Sequence, residues 1–200
     1  MKLKSHQVFF KRLLDIFLSI LGLILSFPVL GILWIIAAIN THSFGLLAQK
    51  RIGKGGKPFL LFKLKTMRDD EEASTFITTA TDKRITNFGR FLRKTKLDEL
   101  PQLWNVLIGK MSLVGPRPDV AGYADQLRGE DRIILSVRPG ITGPASLAFR
   151  DEEELLAKQE NPQQYNDKVI WPEKVRINKA YIKNYSLRKD IQIIWQTVFG

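Results

Sequence analysis

The sequence predicts a predominantly helical α+β fold, in which an N-terminal membrane helix broken at a proline precedes a compact, membrane-associated domain with a small β element. Three observations support this: a long uncharged apolar run, one short stretch of alternating strand pattern, and helical spacing of apolar and basic residues elsewhere. A chain of 200 residues has room for one compact domain beside the membrane segment. We place the basic N-terminus and membrane helix in residues 1–47, and the domain, with interfacial amphipathic helices, in residues 48–200.

The apolar run comprises the 24 residues 16–39, none of which is charged. Its length matches the roughly 20 residues of a membrane crossing and exceeds the apolar part of a signal peptide, about 7–15 residues. Pro28 lies in the middle of the run and removes a helical hydrogen bond, which predicts a sharp bend. Ser26 is placed to satisfy a carbonyl group that this proline frees.

Positive charge on both flanks of the run predicts that the chain enters and leaves the membrane on one side. The flanking residues are Lys2, Lys4, Lys11 and Arg12 before the run, and Lys50, Arg51, Lys54 and Lys57 after it. Positive residues mark the cytoplasmic side, and either arm, at about 1.5 Å per residue, is too short to cross about 30 Å of hydrocarbon. We therefore predict a re-entrant helix broken at Pro28, with a spanning helix as the alternative. Asp15 is expected to pair with Arg12 near the headgroups.

Residues 48–68 predict a β-hairpin. Their glycine-rich segment 53–56 matches no phosphate-binding loop pattern and predicts a turn. In the second strand Lys63 and Lys65 alternate with apolar residues and therefore share one face. Residues 69–86 predict a solvated acidic run followed by a loop.

Three later segments have helical patterns. Residues 85–97 combine apolar spacing with basic residues, and residues 101–108 begin at a proline and are closed by Gly109. Residues 175–199 predict a basic amphipathic helix with an interruption near Ser186. This helix fits a membrane surface and the protein's own core equally well.

The composition excludes several chemistries. The chain has no cysteine, and both histidines, His6 and His42, precede the predicted domain, so thiol and imidazole catalysis are excluded from it. The remaining catalytic groups are Asp, Glu, Lys, Ser, Thr, Tyr or a hard metal ion. A net charge of +11 indicates an anionic partner, which can be nucleic acid, a membrane surface or a phosphorylated substrate.

The candidate reactive groups lie between residues 93 and 140. Asp98 and Glu99 are adjacent carboxylates before a predicted helix; such a pair can hold Mg²⁺, or one member can act as a nucleophile. A solvated acidic pair at a helix start is the alternative. Arg117 lies between two prolines on a stiff loop that suits bidentate phosphate binding, and Arg138 precedes a Pro-Gly pair typical of a type II turn. An ordinary surface turn is the alternative for both arginines.

Three segments resemble the bacterial sugar transferases, the small monotopic polyprenol-phosphate phosphoglycosyl transferases that start glycoconjugate assembly. They are FKLKTM at 62–67, LDELPQLWNVLIGKMSLVGPRP at 97–118 and VRPGITG at 137–143. With the basic N-terminus and the apolar run, the resemblance covers nearly the whole chain. It implies transfer of a phosphosugar from a nucleotide diphosphate sugar, usually a UDP-sugar, to polyprenol phosphate, with release of UMP. It also implies a monotopic location at the cytoplasmic face of the bacterial inner membrane.

The resemblance further implies a ping-pong reaction through a covalent phosphosugar intermediate, with Mg²⁺ as cofactor. The family's nucleophile falls on Asp98 and its neighbouring glutamate on Glu99, and the two are the metal candidates. The phosphate- or substrate-binding candidates are Arg93, Arg117, Lys65 and Arg138. The sequence departs from the family at Lys110, where an acidic residue is common, in the spacing of Ser26 from Pro28, and in the segment after Gly143. We therefore assign no sugar.

The principal alternative is a non-enzymatic, membrane-tethered basic module that binds nucleic acid or anionic lipid. Another polyprenol-phosphate enzyme, such as a phosphatase, is a third hypothesis. The transferase hypothesis implies a nucleotide sugar, polyprenol phosphate and the lipid bilayer as partners, and no nucleic acid. The sequence specifies neither prenol length, pathway nor oligomeric state, and a homodimer stays open.

Overall fold

A computed structural model describes residues 3–69 and 82–200. The helices are α1 (Ser5–Thr41), α2 (Asn87–Thr95), α3 (Gln102–Leu107), α4 (Pro144–Ala148), α5 (Glu152–Ala157), α6 (Pro162–Tyr165), α7 (Trp171–Lys183) and α8 (Leu187–Phe199). The strands are β1 (Leu46–Ile52), β2 (Pro58–Leu64), β3 (Ser112–Val114) and β4 (Gly140–Thr142). The predicted helix-rich α+β class is confirmed. Lys2 and residues 70–81, which hold most of the predicted acidic run and loop, lie outside the described residues.

Helix α1 continues through Pro28 without interruption, so the predicted break is wrong at the level of secondary structure. Apolar helix-forming residues on both sides extend the hydrogen-bonded ladder far enough to tolerate one missing donor. Ser26 Oγ is buried without a hydrogen-bond partner among the described residues. The prediction that it satisfies a carbonyl group freed by Pro28 is therefore wrong too. Within the described chain, α1 is the helix long and apolar enough to cross a membrane by length and composition.

The N-terminal part of α1 is fixed to the rest of the chain by buried polar groups. Lys11 Nζ donates to the Val114 carbonyl at 2.8 Å and pairs with Asp190 Oδ2 at 2.6 Å. Asp15 Oδ1 accepts from Ser112 Oγ at 3.0 Å and from the Leu113 amide at 2.9 Å. The predicted Asp15–Arg12 pair is therefore wrong, because folding offers each side chain a buried partner.

The C-terminal part of α1 packs on the same body by apolar contacts. Leu33 lies in a buried cluster with Leu64 of β2 and Leu92 of α2. Between the two anchored parts, large apolar side chains are exposed, and Phe27 is 77 % exposed. Helix α1 thus touches the body at both ends and leaves an apolar stretch between them uncovered.

The predicted hairpin is confirmed. Strands β1 and β2 are antiparallel, with Leu46 opposite Leu64 and Ile52 opposite Pro58. The glycine segment forms the turn, where Gly55 and Gly56 adopt positive φ. A second sheet pairs β3 and β4 in parallel. 

The type II turn expected after Arg138 is absent, because Gly140 opens β4 instead. A Cβ on Gly140 would lie 2.2 Å from the Gly115 amide nitrogen, so this glycine serves a close backbone approach. That approach holds the 115–118 loop against β4.

The C-terminal amphipathic segment is divided as predicted. Helix α7 ends at Lys183, and Ser186 caps α8 by accepting from the Lys189 amide. One face of the pair packs in the protein's core, through Val175 and Ile193 among others. The opposite face of α8 exposes apolar side chains, namely Ile191, Trp195, Val198 and Phe199.

Candidate active site

The two adjacent carboxylates occupy a tight junction between α2 and α3. Lys96 adopts a left-handed conformation (φ 57°) that ends α2, and a 3₁₀ turn, Leu97–Glu99, follows directly. The predicted junction before a helix is confirmed. It places both carboxylates inward: Asp98 is 7 % exposed and Glu99 is 8 % exposed. Burial of two adjacent acids is costly unless cations face them.

Glu99 is paired with Arg117. Arg117 Nη2 lies 2.5 Å from Glu99 Oε1, and Nη1 donates to Oε2 at 3.4 Å. Burial alone would raise the pKa of Glu99, but the charge and hydrogen bonds of Arg117 outweigh it and leave that pKa lowered. Glu99 is therefore ionised at neutral pH and orients the guanidinium group of Arg117, whose side chain is 49 % exposed.

Asp98 is the carboxylate left without a direct partner. Its Oδ1 is buried and has no hydrogen-bond partner among the described residues. Burial, and then the neighbouring Glu99 charge, raise the pKa of Asp98 to about 6. Above that pH the group is an ionised carboxylate with an unsatisfied buried oxygen, which is the state a nucleophile or metal ligand needs.

Cations surround Asp98. Lys63 and Arg93 both act to lower the pKa of Asp98. Burial, and then the Arg93 charge, lower the pKa of Lys63 to about 8. Arg93 is fixed by donating from Nε to Thr66 Oγ1 at 3.0 Å and from Nη1 to Glu153 Oε1 at 3.1 Å. Together with Arg117, these side chains form a concentration of positive charge that an anionic substrate can use.

A second charged group adjoins the first and was missed from the sequence. Burial raises the pKa of Asp119 to about 6, opposed by the charges of Lys174, Arg51 and Arg117. Lys174 Nζ contacts both Glu152 oxygens, at 2.7 and 2.6 Å. The sequence shows that Asp119 directly follows the Pro-Arg-Pro loop, but its burial and its charged neighbours become apparent only in the fold.

The chain matches the bacterial sugar transferase profile over residues 6–200. The chain belongs to the bacterial sugar transferase family.

Three relatives show the range of activities named in the family. A UDP-glucose:undecaprenyl-phosphate glucose-1-phosphate transferase of Klebsiella pneumoniae is 39 % identical, over 98 % of this chain and 41 % of its own. A putative undecaprenyl-phosphate N-acetylgalactosaminyl 1-phosphate transferase of Bacillus subtilis is 40 % identical, over 60 % of this chain and 68 % of its own.

The third relative is an undecaprenyl-phosphate galactose phosphotransferase of Salmonella typhimurium, 33 % identical over 97 % of this chain and 40 % of its own. The chain thus spans about two fifths of the length of the Klebsiella and Salmonella relatives. The three relatives carry three different sugars in their names, so membership of the family does not specify the sugar.

Four of the six predicted site residues come together in this family member: Asp98, Glu99, Arg93 and Arg117. Lys65 does not join them; it pairs with exposed Asp69 at 2.6 Å, whereas the charge of Lys63 acts on Asp98. Arg138 is also elsewhere, since its Nε donates to the Gly109 carbonyl at 2.8 Å, beyond the far end of α3.

The donors at the junction fit a magnesium ion that is shared with a substrate. Mg²⁺ binds through one or two carboxylates together with substrate phosphates and water. Asp98 Oδ1 offers one free oxygen, whereas both oxygens of Glu99 are engaged by Arg117. Among the described residues no group of three or more acidic or histidine side chains could hold a metal by itself. Asp98 is therefore the residue that would hold the ion.

Proposed function

We propose that this chain is a phosphoglycosyl transferase. It transfers a sugar 1-phosphate from a nucleotide diphosphate sugar, a UDP-sugar by preference, to polyprenol phosphate and releases UMP. This reaction would initiate assembly of a glycoconjugate such as O-antigen, capsule, exopolysaccharide or a protein-linked glycan. Membership of the family and the activities named for the relatives support the reaction class. The single observation that carries the proposal is the buried, unpartnered oxygen of Asp98 among Lys63, Arg93 and Arg117.

The first half of the reaction uses Asp98 as the nucleophile. Its carboxylate oxygen forms a bond to the sugar-bearing phosphorus, and the bond from that phosphorus to the bridging oxygen breaks. UMP leaves with the bridging oxygen, and the sugar phosphate remains on Asp98 as an acyl phosphate. The carboxylate must be ionised, which its pKa of about 6 allows at neutral pH.

The second half transfers the sugar phosphate to the lipid. A phosphate oxygen of polyprenol phosphate attacks the same phosphorus, and the bond to Asp98 breaks, which regenerates the carboxylate. Arg93, Arg117 and Lys63 would stabilise the negative charge on the phosphoryl oxygens in both halves. A bound Mg²⁺ would supply further neutralisation of the diphosphate charge.

The contacts of α1 support a monotopic arrangement at the cytoplasmic face. Lys11 and Leu33 are 22 residues apart, about 33 Å along a helix, yet both contact the same body. A helix that crossed the bilayer would carry one of them away from that body. Both flanks of the exposed apolar stretch therefore lie on the body's side of the membrane, and their positive charge favours the cytoplasmic side. The site is then level with the headgroups, where a polyprenol phosphate meets a soluble nucleotide sugar.

Single cysteines test this topology cleanly because the chain has none of its own. In intact cells Lys4→Cys and Lys54→Cys should both be protected from a membrane-impermeant thiol reagent, and both should react after the inner membrane is permeabilised. Labelling of only one of them in intact cells would mean that α1 spans the membrane.

The reaction itself is tested by a screen of UDP-sugars for UMP release, with polyprenol phosphate and Mg²⁺ and the protein in nanodiscs. We expect one or a few UDP-sugars to yield UMP. Release of inorganic phosphate from polyprenol phosphate alone would indicate a phosphatase. No turnover with any UDP-sugar, together with salt-dependent binding of nucleic acid, would favour the non-enzymatic module.

The pH dependence of UMP release should show which of the two lysines of the FKLKTM segment affects the pKa of Asp98. Lys63→Gln removes a cation that lowers the pKa of Asp98, so the acid limb of kcat/KM should move from about pH 6 to higher pH. Glu99→Gln removes an anion that raises the same pKa and should move the limb to lower pH. Lys65→Gln is the matched control. If Lys65→Gln moves the limb and Lys63→Gln does not, Lys63 is not the partner of Asp98.

A further inference from the structure

Two arginines converge at the end of α3 that lies away from Asp98. Arg12 of α1 donates to the carbonyls of Val106 and Leu107, at 2.7 and 2.8 Å, and Arg138 donates from Nε to the carbonyl of Gly109. Gly109 has a positive φ of 80°, and a Cβ built on it would lie 3.4 Å from Arg12 Nη2 and 3.9 Å from Arg138 Nη2. The two guanidinium groups therefore border one small space above this glycine.

The charge of Asp15 acts on Arg12, but neither arginine of this group is in direct contact with a carboxylate in the described part of the chain. Asp15 itself is occupied by Ser112 and Leu113. Lys110 follows Gly109, is exposed, and adds a third positive charge. The carbonyls at the end of α3 offset part of this charge. The Nη groups of Arg138 have no hydrogen-bond partner within the described chain and can donate outward.

The surroundings of this cluster are apolar and exposed. On α1, Phe9 and Leu13 flank Arg12 and are 64 % and 57 % exposed. Trp104 of α3 and Ile108, which directly follows that helix, are 51 % and 47 % exposed. Exposed apolar side chains beside a cationic cluster are typical of the headgroup level of a membrane, where the apolar parts meet acyl chains.

We infer that Arg12, Lys110 and Arg138 form a binding site for the phosphate group of a membrane lipid. Two guanidinium groups that share one space are suited to a single phosphate, which can accept hydrogen bonds from both. The site is distinct from the reaction centre, because the six residues of α3, about 9 Å, separate it from the Asp98–Glu99 turn. A lipid bound here would hold α3, and with it the carboxylate junction, at a fixed depth.

The phosphate can belong to a diester headgroup or to the monoester of a polyprenol phosphate, and titrations of the detergent-solubilised full chain distinguish the two sources. The probes are dihexanoylphosphatidylglycerol, farnesyl phosphate, inorganic phosphate and dihexanoylglycerol, followed by isothermal titration calorimetry. We expect at least one of the two lipid phosphates to bind, and dihexanoylglycerol not to bind. Whichever lipid binds more tightly identifies the source. Farnesyl phosphate can also bind at the reaction centre as an acceptor, so binding is assigned to this site only by its loss in variants that lie outside that centre.

The variants Lys110→Glu and Arg138→Gln should each weaken lipid-phosphate binding by about tenfold or more. Lys110 is exposed, so its variant is expected to fold normally. Lys158→Glu, the same charge reversal at another exposed lysine, is the control and should bind as the wild type does. Wild-type affinity in both Lys110→Glu and Arg138→Gln would overturn the site. Binding of inorganic phosphate as tight as that of both lipids would overturn its assignment to a lipid.

Discussion

Replacing Asp98 by asparagine should lower UMP release by at least about 10³-fold, because the amide cannot form the covalent phosphosugar intermediate. The shape of the side chain is kept, so the protein should still fold. The measurement is steady-state UMP release with the preferred UDP-sugar, polyprenol phosphate and Mg²⁺. Asp69→Asn, which alters only an exposed partner of Lys65, is the control and should keep wild-type turnover. Near-wild-type turnover by Asp98→Asn would reject the nucleophile.

The same variant should be more stable than the wild type at alkaline pH. Burial raises the pKa of Asp98 from an ordinary value of 3.8 to about 6, so ionising this group costs the folded state about 3 kcal/mol at about 1.36 kcal/mol per pKa unit. The cost is absent below the unfolded-state pKa and is complete above pH 6. Thermal unfolding without Mg²⁺ should therefore show a higher Tm for Asp98→Asn at pH 8 and an equal Tm near pH 3, below the unfolded-state pKa of 3.8. If the variant and the wild type had equal Tm values at both pH values, burial of ionised Asp98 would not destabilise the folded state.

Breaking the buried pair between Lys11 and Asp190 should have the largest effect on stability. Asp190 is 1 % exposed and accepts from Tyr181 and Tyr185 as well as from Lys11. Asp190→Asn leaves the Lys11 charge buried without its counter-charge, which should cost about 3–5 kcal/mol. Unfolding in detergent, followed by circular dichroism, measures the loss. Arg176→Gln, which removes an exposed pair with Glu173, is the control and should leave the Tm unchanged.

A double variant shows whether that loss comes from an unpaired charge. Lys11→Met with Asp190→Asn removes both charges; the amide oxygen accepts from one tyrosine hydroxyl group, and the amide nitrogen can donate to the other. The double variant should recover much of the stability that either single change loses. Additive losses in the double variant would mean that the two side chains do not act as a pair.

Local sequence patterns predicted the elements whose ends depend on nearby residues. Ser186 interrupts the C-terminal helices because its hydroxyl accepts from the Lys189 amide, a contact three residues away. The glycines of the hairpin and the Asp98–Glu99 junction before Pro101 were predicted on the same basis. Pro28 shows the limit of this approach: a proline signals a break, but the flanking apolar residues continue the helix through it.

Long-range contacts explain the parts of the site that the sequence could not predict. Asp98, Glu99 and Arg117 were found because they lie in one continuous motif. Lys63 and Lys65 share a strand face, and only the packing of β2 against the Asp98 turn distinguishes them. Asp15 and Arg12 were assigned to each other, and Arg138 was assigned to phosphate or substrate binding. In the fold their partners are about 30 to 100 residues away, which spacing cannot reveal.

In the proposed mechanism Asp98 carries the sugar phosphate between the two substrates. The most direct measurement is mass spectrometry of the protein after incubation with its UDP-sugar and Mg²⁺ but no polyprenol phosphate. We predict UMP release of at most one equivalent and a sugar-phosphate adduct on the peptide that contains Asp98, absent from Asp98→Asn. An adduct on another residue, or UMP release that requires polyprenol phosphate and leaves no adduct, would contradict the account.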